Sequence, residues 1–274
     1  MDNKSDAMLA EPPPLKAGRG TAHETVRLCL GYGLLVALCL GISVMAIAMR
    51  VLLPRARSKS WGRRLASASF RAYLRLLALM GACRFDLGAL DVLQGGPALI
   101  IAPNHPSLLD AIMILSRLPD ATCIMKADIV NSVFFGAGAR LVGYIRNTPL
   151  RTMVQLSVAD LRQGSSLLLF PEGTRTRRFP VGQMQGTTGL ISKHAGVPVQ
   201  TVFIETDSAF LGKGWSLLWT PKMPVTYRVR LGQRFEPAGD TAGFTAELER
   251  YFDTELRHSQ PLSSLAPTAP APPA

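Results

Sequence analysis

The sequence predicts an α/β domain with a mixed, largely parallel sheet flanked by helices, preceded by an N-terminal pair of membrane-docking helices. Short apolar runs that fit buried strands, at 98–102, 167–169 and 197–204, alternate with segments of helical character. This alternation is typical of a domain built around a largely parallel sheet. A much longer apolar stretch, residues 28–49, precedes the first of these strands and predicts the membrane-docking part.

Residues 28–49 have the length and composition of a membrane helix. They carry no charged side chain, and as a helix they reach about 33 Å, enough to cross the core of a bilayer. The cations that flank the end of this stretch are Arg50, Arg55, Arg57, Lys59, Arg63 and Arg64. By the positive-inside tendency, we expect the following domain to face the cytoplasm from the inner membrane. A signal peptide cleaved after residues 46–48 is the alternative, but the stretch is too long and begins too late for one.

Residues 61–80 predict an amphipathic helix. Arg64, Arg71 and Arg75 cluster on one side of a helical wheel, whereas Trp61, Leu65, Tyr73, Leu76 and Met80 spread over the other. Such a helix suits the headgroup layer of a membrane, with its arginines facing phosphates. The alternative is an ordinary core-facing helix with a solvated basic face.

The remaining elements complete the alternation. We predict helices at 107–117, 150–163, 182–195 (ending at Gly196) and 242–257, and a late strand at 223–231. The predicted organisation is a disordered tail (1–25), membrane-associated helices (26–82), a catalytic domain (83–258) and a disordered tail rich in Pro and Ala (259–274).

The composition indicates an anionic partner. The formal net charge is +11 and the isoelectric point is about 10.0, which suits nucleic acid or an acidic membrane surface. Aromatic residues make up only 7%, no nucleic-acid-binding motif occurs, and the hydrophobic content of 47% favours membrane lipids. The cysteines, Cys29, Cys39, Cys83 and Cys123, show no metal-binding spacing, so we expect neither a zinc site nor a disulfide framework.

Two polar motifs follow predicted strands. Asn104-His105-Pro106-Ser107-Leu108-Leu109-Asp110 comes directly after 98–102, and Phe170-Pro171-Glu172-Gly173-Thr174-Arg175 directly after 167–169. Ligands and catalytic groups of open α/β sheets lie beyond the carboxyl ends of strands. We expect Ser107 to cap the following helix, with Asp110 at its third position. Taken alone, the first motif also fits a capped helix with a nearby surface histidine.

These motifs resemble those of the PlsC-type lysophospholipid acyltransferases, the glycerolipid acyltransferase family. That family carries Asn-His-x-x-x-x-Asp, Phe-Pro-Glu-Gly-Thr-Arg and a Val-Pro strand, the last matched here by Gly196-Val197-Pro198-Val199. The resemblance covers about residues 60–240. It implies a two-helix N-terminal membrane motif, whose first helix either spans the membrane or dips into one leaflet. It also implies transfer of a fatty acyl group from acyl-CoA or acyl carrier protein to the hydroxyl of a lysophospholipid such as 1-acylglycerol-3-phosphate, without a metal or bound cofactor.

The resemblance also implies roles for individual residues. His105 is the general base and Asp110 orients it, because a neutral imidazole can accept the hydroxyl proton while a carboxylate fixes its tautomer. The second motif is assigned to the acceptor's phosphate or glycerol headgroup. The predicted substrate-binding residues are Asn104, Lys126, Arg146, Glu172, Gly173, Thr174 and Arg175.

The chain departs from the family pattern between the two motifs. Lys126 and Gly136 match, but Val133 replaces a usual proline, and in 143–147 the arginine stands one residue early, leaving Asn147 at the family arginine's place. A slip of one residue in a strand reverses the face of a side chain. A segment starting at Gly212, Gly-Lys-Gly-Trp, is similar to that of a subgroup linked to specialised or polyene-lipid assembly. Three alternatives stay open: a non-standard lysolipid acceptor, an acyl-thioesterase, and a catalytically silent lipid-binding scaffold.

Overall fold

The computed structural model describes residues 21–52, 55–131, 136–177 and 180–258. The predicted tail at 259–274 and Val133 lie outside the described residues. The helices are α1 (Ala22–Leu52), α2 (Arg55–Leu79), α3 (Asp110–Arg117), α4 (Ala127–Asn131), α5 (Gly136–Leu141), α6 (Leu150–Arg162), α7 (Thr187–Ala195) and α8 (Thr241–His258). The strands are β1 (Cys83–Asp86), β2 (Ile100–Pro103), β3 (Thr122–Met125), β4 (Ile145–Arg146), β5 (Leu167–Leu168), β6 (Val199–Thr206) and β7 (Val225–Phe235).

The sheet confirms the predicted mixed, largely parallel architecture. Its order is β1-β7-β6-β2-β5-β3-β4, and every neighbouring pair is parallel except β6 and β7. Ile100 of β2 is in register with Leu167 of β5 on one side and Val199 of β6 on the other. Because β2 and β5 are parallel neighbours, the two polar motifs that follow them meet at the same edge of the sheet.

The sheet is buried on both faces. Ile101 and Leu168 belong to a core shared with α2 and α3, whereas Ile100 and Leu167 belong to a second core on the side of α7 and α8. Successive side chains of a strand point to opposite faces, so a strand covered on both sides is a continuous apolar run rather than an alternating one. This explains why 98–102 is recognisable in the sequence.

Helix α1 lies along the domain over its length. Near its start, Glu24 Oε1 accepts the backbone N–H of Met223 at 3.2 Å, and further on Gly31 O accepts the Tyr73 hydroxyl at 3.3 Å. Near its end, Ile42 packs so closely on Gly138 of α5 that a Cβ there would lie 2.9 Å from Ile42 Cγ2. The opposite face carries exposed apolar side chains: Val26, Leu30, Val36, Leu40, Val44 and Ile47. By length and composition alone, Ala22–Ala48 is long and apolar enough to cross a membrane.

Helix α2 is core-facing on one side. Tyr73, which we expected on the apolar side of a headgroup helix, is buried in the domain core together with Leu74 and Leu77. Trp61 and Leu79 are exposed. One side of α2 therefore packs on the core of the domain, as in the alternative of an ordinary core-facing helix. Arg64 and Arg75 lie on its exposed side, as predicted.

A buried ion pair fastens α2 to the domain. Arg63 Nη2 donates to Asp160 Oδ2 of α6 at 2.9 Å, and the Nε of the same guanidinium donates to Val142 O at 2.8 Å. Lys59 Nζ reaches the other oxygen of Asp160 at 2.7 Å. Two of the basic residues that follow α1 in sequence thus pair with the catalytic domain.

Several predicted boundaries are wrong, each for an identifiable reason. Helix α1 begins at Ala22, before the apolar stretch at 28–49, because Thr21 and Glu24 exchange hydrogen bonds in a capping box. Residues 22–25, which we predicted as part of the disordered tail, therefore belong to this helix. Helix α7 begins at Thr187 rather than 182, since the Gly182 N–H donates to Glu172 and the Met184 N–H donates to Glu249. Helix α7 ends at Gly196, whose φ is 67°, as predicted.

Candidate active site

His105 and Asp110 form a hydrogen-bonded pair at the carboxyl edge of β2. His105 Nδ1 lies 2.8 Å from Asp110 Oδ2. Asp110 is fully buried, whereas the His105 side chain keeps 16% of its surface exposed and lines a cavity. Because Asp110 takes Nδ1, Nε2 is the ring nitrogen that a substrate can reach.

The start of α3 differs from the prediction and explains this geometry. The helix begins at Asp110, and Ser107 is not its cap. Asp110 Oδ2 instead accepts the backbone N–H of Ser107 at 2.8 Å, while the Ser107 hydroxyl donates to Phe210 O at 3.0 Å. The turn at 107–109 therefore folds the carboxylate back onto the histidine rather than out to solvent.

The environment of Asp110 opposes its charge. Burial raises the pKa of this carboxyl, and the hydrogen bonds from His105 and Ser107 act in the opposite direction. Its second oxygen, Oδ1, has no hydrogen-bond partner among the described residues. The carboxylate is thus directed to His105 through one oxygen only.

Glu172 joins the two motifs. It is buried, its Oε1 accepts the backbone N–H of His105 at 3.1 Å and the Thr176 hydroxyl at 2.7 Å, and its Oε2 accepts the Gly182 N–H at 2.8 Å. The Thr176 N–H in turn donates to His105 O at 2.8 Å. Glu172 does not line the cavity. These contacts suit a residue that positions His105, and the predicted substrate contact of Glu172 stays a prediction.

His105 also stacks on the second motif. The imidazole and the Phe170 ring have centroids 3.8 Å apart and an interplanar angle of 21°. Together with the bonds of Glu172, this contact fixes the ring at the cavity wall.

Gly173, Thr174 and Arg175 line the cavity, and their predicted contact with the acceptor headgroup stays a prediction. Gly173 has a φ of 65°, a conformation that strains other residues, and a Cβ there would also displace the side-chain amide of Gln185. Arg175 Nη1 donates to the carbonyl oxygens of Leu211 and Gly212, each at 2.8 Å. The guanidinium of Arg175 therefore stabilises the loop that follows β6, and Arg175 also lines the cavity.

The other predicted substrate-binding residues divide into two groups. Lys126 lines the cavity. Asn104 does not, since its buried amide bonds both backbone groups of Ile204, at 2.7 Å and 3.0 Å, and ties the end of β2 to β6. Arg146 also points elsewhere, with Nη2 donating to Asn131 Oδ1 at 2.7 Å. Asn147, which follows Arg146 directly after β4, lines the cavity, as the one-residue slip predicts.

The cavity is apolar, with cations on its wall. Its volume is about 550 Å³, within the range of small-molecule sites. Leu35 and Ile42 of α1, Ala66 and Phe70 of α2, Ile112 of α3 and Met153 of α6 contribute apolar wall. Lys126, Arg175 and Lys213 are the described cations in the lining, and no described carboxylate belongs to it. Sequence analysis missed the contribution of α1 and α2, because no local pattern shows which distant helices enclose a site.

Comparison with known proteins identifies the domain. The family model Acyltransferase matches residues 84–205. This region is similar to the acyltransferase domain that the model describes. The prediction of an acyltransferase is thereby confirmed for the region that carries both motifs.

Individual relatives agree with this result. A 1-acyl-sn-glycerol-3-phosphate acyltransferase of Pseudomonas aeruginosa is 26% identical over 185 residues, which are 64% of this chain and 68% of the relative. The crystal structure of the 1-acyl-sn-glycerophosphate acyltransferase PlsC of Thermotoga maritima superposes with a TM-score of 0.63 and 16% identity, covering 89% of this chain and 96% of that chain. The second comparison shows that the fold is shared.

Among the residues that the structure describes, no group of three or more His, Cys, Asp or Glu side chains is arranged to hold a metal ion. That catalysis needs neither metal nor bound cofactor stays a prediction.

Proposed function

We propose that this protein transfers a fatty acyl group from a thioester, acyl-CoA or acyl carrier protein, to the hydroxyl of a lysophospholipid of the 1-acylglycerol-3-phosphate type. The observation that carries the proposal is the buried His105–Asp110 pair, which opens onto an apolar cavity bordered by cations. The names of the relatives from Pseudomonas aeruginosa and Thermotoga maritima support the same substrate class.

In the proposed mechanism His105 acts as general base. Its Nε2 takes the proton of the acceptor hydroxyl while the hydroxyl oxygen attacks the thioester carbonyl carbon. Asp110 holds the tautomer with Nδ1 protonated and stabilises the imidazolium that forms. When the tetrahedral intermediate collapses, the C–S bond breaks and the leaving thiolate recovers the proton from the imidazolium. No residue of the protein is acylated.

The cavity suits both parts of an acyl-chain substrate. The apolar walls of α1, α2 and α6 match a hydrocarbon chain, whose transfer from water is favourable in proportion to the area buried. The cations on its wall, Lys126 and Arg175, suit a phosphate, and the planar fork of an arginine matches that geometry best.

Membrane association is part of the proposal. The exposed apolar face of α1 is too extensive to leave in water. Leu217 and Leu218 are also exposed, by 60% and 91%, and they lie on the loop whose Met223 is hydrogen-bonded to α1. Because the domain contacts α1 near both of its ends, we propose that α1 lies within one leaflet. The cations after α1 favour the cytoplasmic face of the inner membrane.

A non-standard lysolipid acceptor is the second candidate. The observation in its favour is that Asn147 stands at the cavity where the family pattern has arginine, while Arg146 bonds to Asn131 instead. An acceptor without the ordinary glycerol phosphate requires fewer cations.

The test is an acceptor screen with the purified full chain in detergent. Labelled acyl-CoA and acyl carrier protein would be offered to a panel of lysolipids, with His105→Ala as the control. Acylation of 1-acylglycerol-3-phosphate that disappears in the variant supports the proposal. Product with a different lysolipid alone favours the second candidate, and thioester loss at the same rate without any acceptor indicates a thioesterase. If the His105→Ala variant keeps full function in cells, catalysis is not needed, and only the catalytically silent lipid-binding scaffold remains as an alternative.

A further inference from the structure

Lys213 reaches the cavity from a part of the chain outside the two motifs. It stands in the 207–224 connection between β6 and β7, and it lines the cavity together with His105, Lys126 and Arg175. The Lys213 side chain is exposed, and no carboxylate of the described ranges lies within ion-pair distance of it. The amine is therefore available to an anion that enters the cavity.

The loop that carries Lys213 is held firmly against both motifs. Leu211 has a φ of 59°, a left-handed conformation that is strained for a branched side chain and occurs mostly at functional sites. Its carbonyl accepts the Leu108 N–H at 3.1 Å and the Arg175 guanidinium at 2.8 Å. At Gly212 a Cβ would lie 2.9 Å from Ala209 O and 3.2 Å from Pro106 O, so no side chain fits. The backbone is thus fixed immediately before the lysine.

The cations around Lys213 favour the binding of an anion. Arg177, Lys126 and Arg175 surround Lys213 closely enough that, with Arg177 contributing most, they lower the pKa of its amine. Like charges repel one another, so an anion that enters the cavity is attracted to several cations at once and relieves their repulsion. A phosphate supplies several acceptor oxygens to neighbouring cations at once.

We infer that Lys213 binds the phosphate of the acceptor and replaces the cation that position 147 lacks. This inference rests on the proposed function, and it reconciles that function with the departure at Asn147, because Lys213 supplies a cation to the same cavity from the loop after β6. The phosphates of an acyl-CoA donor have the same chemistry, so the experiment must separate the two sources.

The experiment compares Lys213→Gln and Lys213→Arg in the full chain, with Lys222→Gln as the matched control. Lys222 is an exposed lysine of the same connection that does not line the cavity. We expect Lys213→Gln to raise the KM for 1-acylglycerol-3-phosphate about tenfold, the size of one lost charged hydrogen bond, with kcat within about twofold. Turnover of 1-acylglycerol, which has no phosphate, and the KM for acyl-CoA should not change. Lys213→Arg should restore most of the affinity, and Lys222→Gln should match the wild type.

Two results would overturn the inference. One is an unchanged KM for 1-acylglycerol-3-phosphate in Lys213→Gln, and the other is a rise confined to acyl-CoA, which assigns the lysine to the donor. If the wild type acylates no lysolipid, the proposed function fails separately. Tryptophan fluorescence then reports 1-acylglycerol-3-phosphate binding through Trp215, two residues from Lys213. Weaker binding by Lys213→Gln supports the inference, and equal binding refutes it.

Discussion

At the scale of single residues, the family resemblance of the first motif implied that Asp110 orients His105, and the two side chains form a hydrogen bond of 2.8 Å. It did not predict how Asp110 is oriented. The expected helix cap at Ser107 would have placed the carboxylate at a solvated helix end, whereas the Ser107 hydroxyl bonds to Phe210, about a hundred residues away in sequence. A local pattern contains no information about such a distant partner.

Asp110→Asn should separate activity from stability. Asparagine still accepts a bond from His105 but cannot stabilise an imidazolium, so we expect kcat to fall about a thousandfold. Because burial raises the pKa of Asp110, the folded state binds a proton at this carboxyl more tightly than the unfolded state does. Protonation of Asp110 therefore stabilises the folded state. That contribution to the free energy of unfolding is full below the pKa of an unfolded aspartate, about 4, and is lost as pH rises through the higher folded pKa.

Melting temperatures of the wild type and Asp110→Asn, measured from about pH 4 to pH 8, check this sign. The wild type should lose stability relative to the variant as pH rises through this window. A difference that is independent of pH, or that grows in favour of the wild type, would contradict the raised pKa.

Glu172→Gln tests whether Glu172 positions His105 or binds substrate, as the sequence predicted. Its carboxylate accepts bonds from His105, Thr176 and Gly182, and glutamine has one acceptor oxygen for these three donors. We expect the free energy of unfolding to fall by about 2 kcal/mol. Because His105 is displaced, kcat should fall while the KM for the acceptor changes little. A raised KM with normal kcat would instead restore the substrate-binding role. Glu236→Gln, an exposed glutamate on the surface, is the control.

At the scale of elements, the order and type of the main helices and strands followed from apolar periodicity, but the start of α7 and the buried side of α2 did not. Helix α7 starts late because Glu172 and Glu249 take the backbone donors that a first helical turn would have left free. Helix α2 has a buried side because α1 and α3 pack on it, and a helical wheel cannot distinguish a protein neighbour from a membrane. The reversed face at Arg146 was predictable, since it depends only on strand alternation.

Ala66→Phe in α2 should shorten the acyl chain that the protein prefers. Ala66 is buried and lines the cavity beside Phe70, so a phenyl ring there takes space from the hydrocarbon chain. We expect kcat/KM to fall for long acyl-CoA donors and to be retained for short ones. Ala68→Phe, at an exposed position of the same helix, should leave the profile unchanged. A uniform loss at all chain lengths, with a lowered melting temperature, would indicate overpacking rather than selection.

At the scale of the whole molecule, hydropathy identified α1 but could not show how it meets the membrane. Length and composition fit a helix that crosses a bilayer, and the same properties fit one that lies in a single leaflet. The distinction depends on which surfaces of the domain contact the helix, and those contacts come from residues far along the chain. The net charge of +11 adds attraction to an anionic surface in either arrangement.

The contacts of α1 predict that both ends of the chain lie on the same side of the membrane. Glu24 and Ile42 are separated by about 27 Å along the helix, nearly the thickness of a hydrocarbon core. Yet Glu24 bonds to Met223 and Ile42 packs on Gly138, and both partners belong to the catalytic domain. A helix that crossed the bilayer would take one of these contacts into the membrane or to its far side.

Protease accessibility of terminal epitope tags measures this directly. One tag precedes Met1 and the other follows Ala274. In inverted inner-membrane vesicles we expect protease to remove both tags, and in right-side-out vesicles we expect both to survive until detergent is added. If the tags respond oppositely in the two preparations, α1 crosses the bilayer, and the contacts of Glu24 with the domain are not those of the membrane-bound protein. If both tags are accessible only in right-side-out vesicles, the orientation inferred from the cations after α1 is reversed while the single-leaflet arrangement stands.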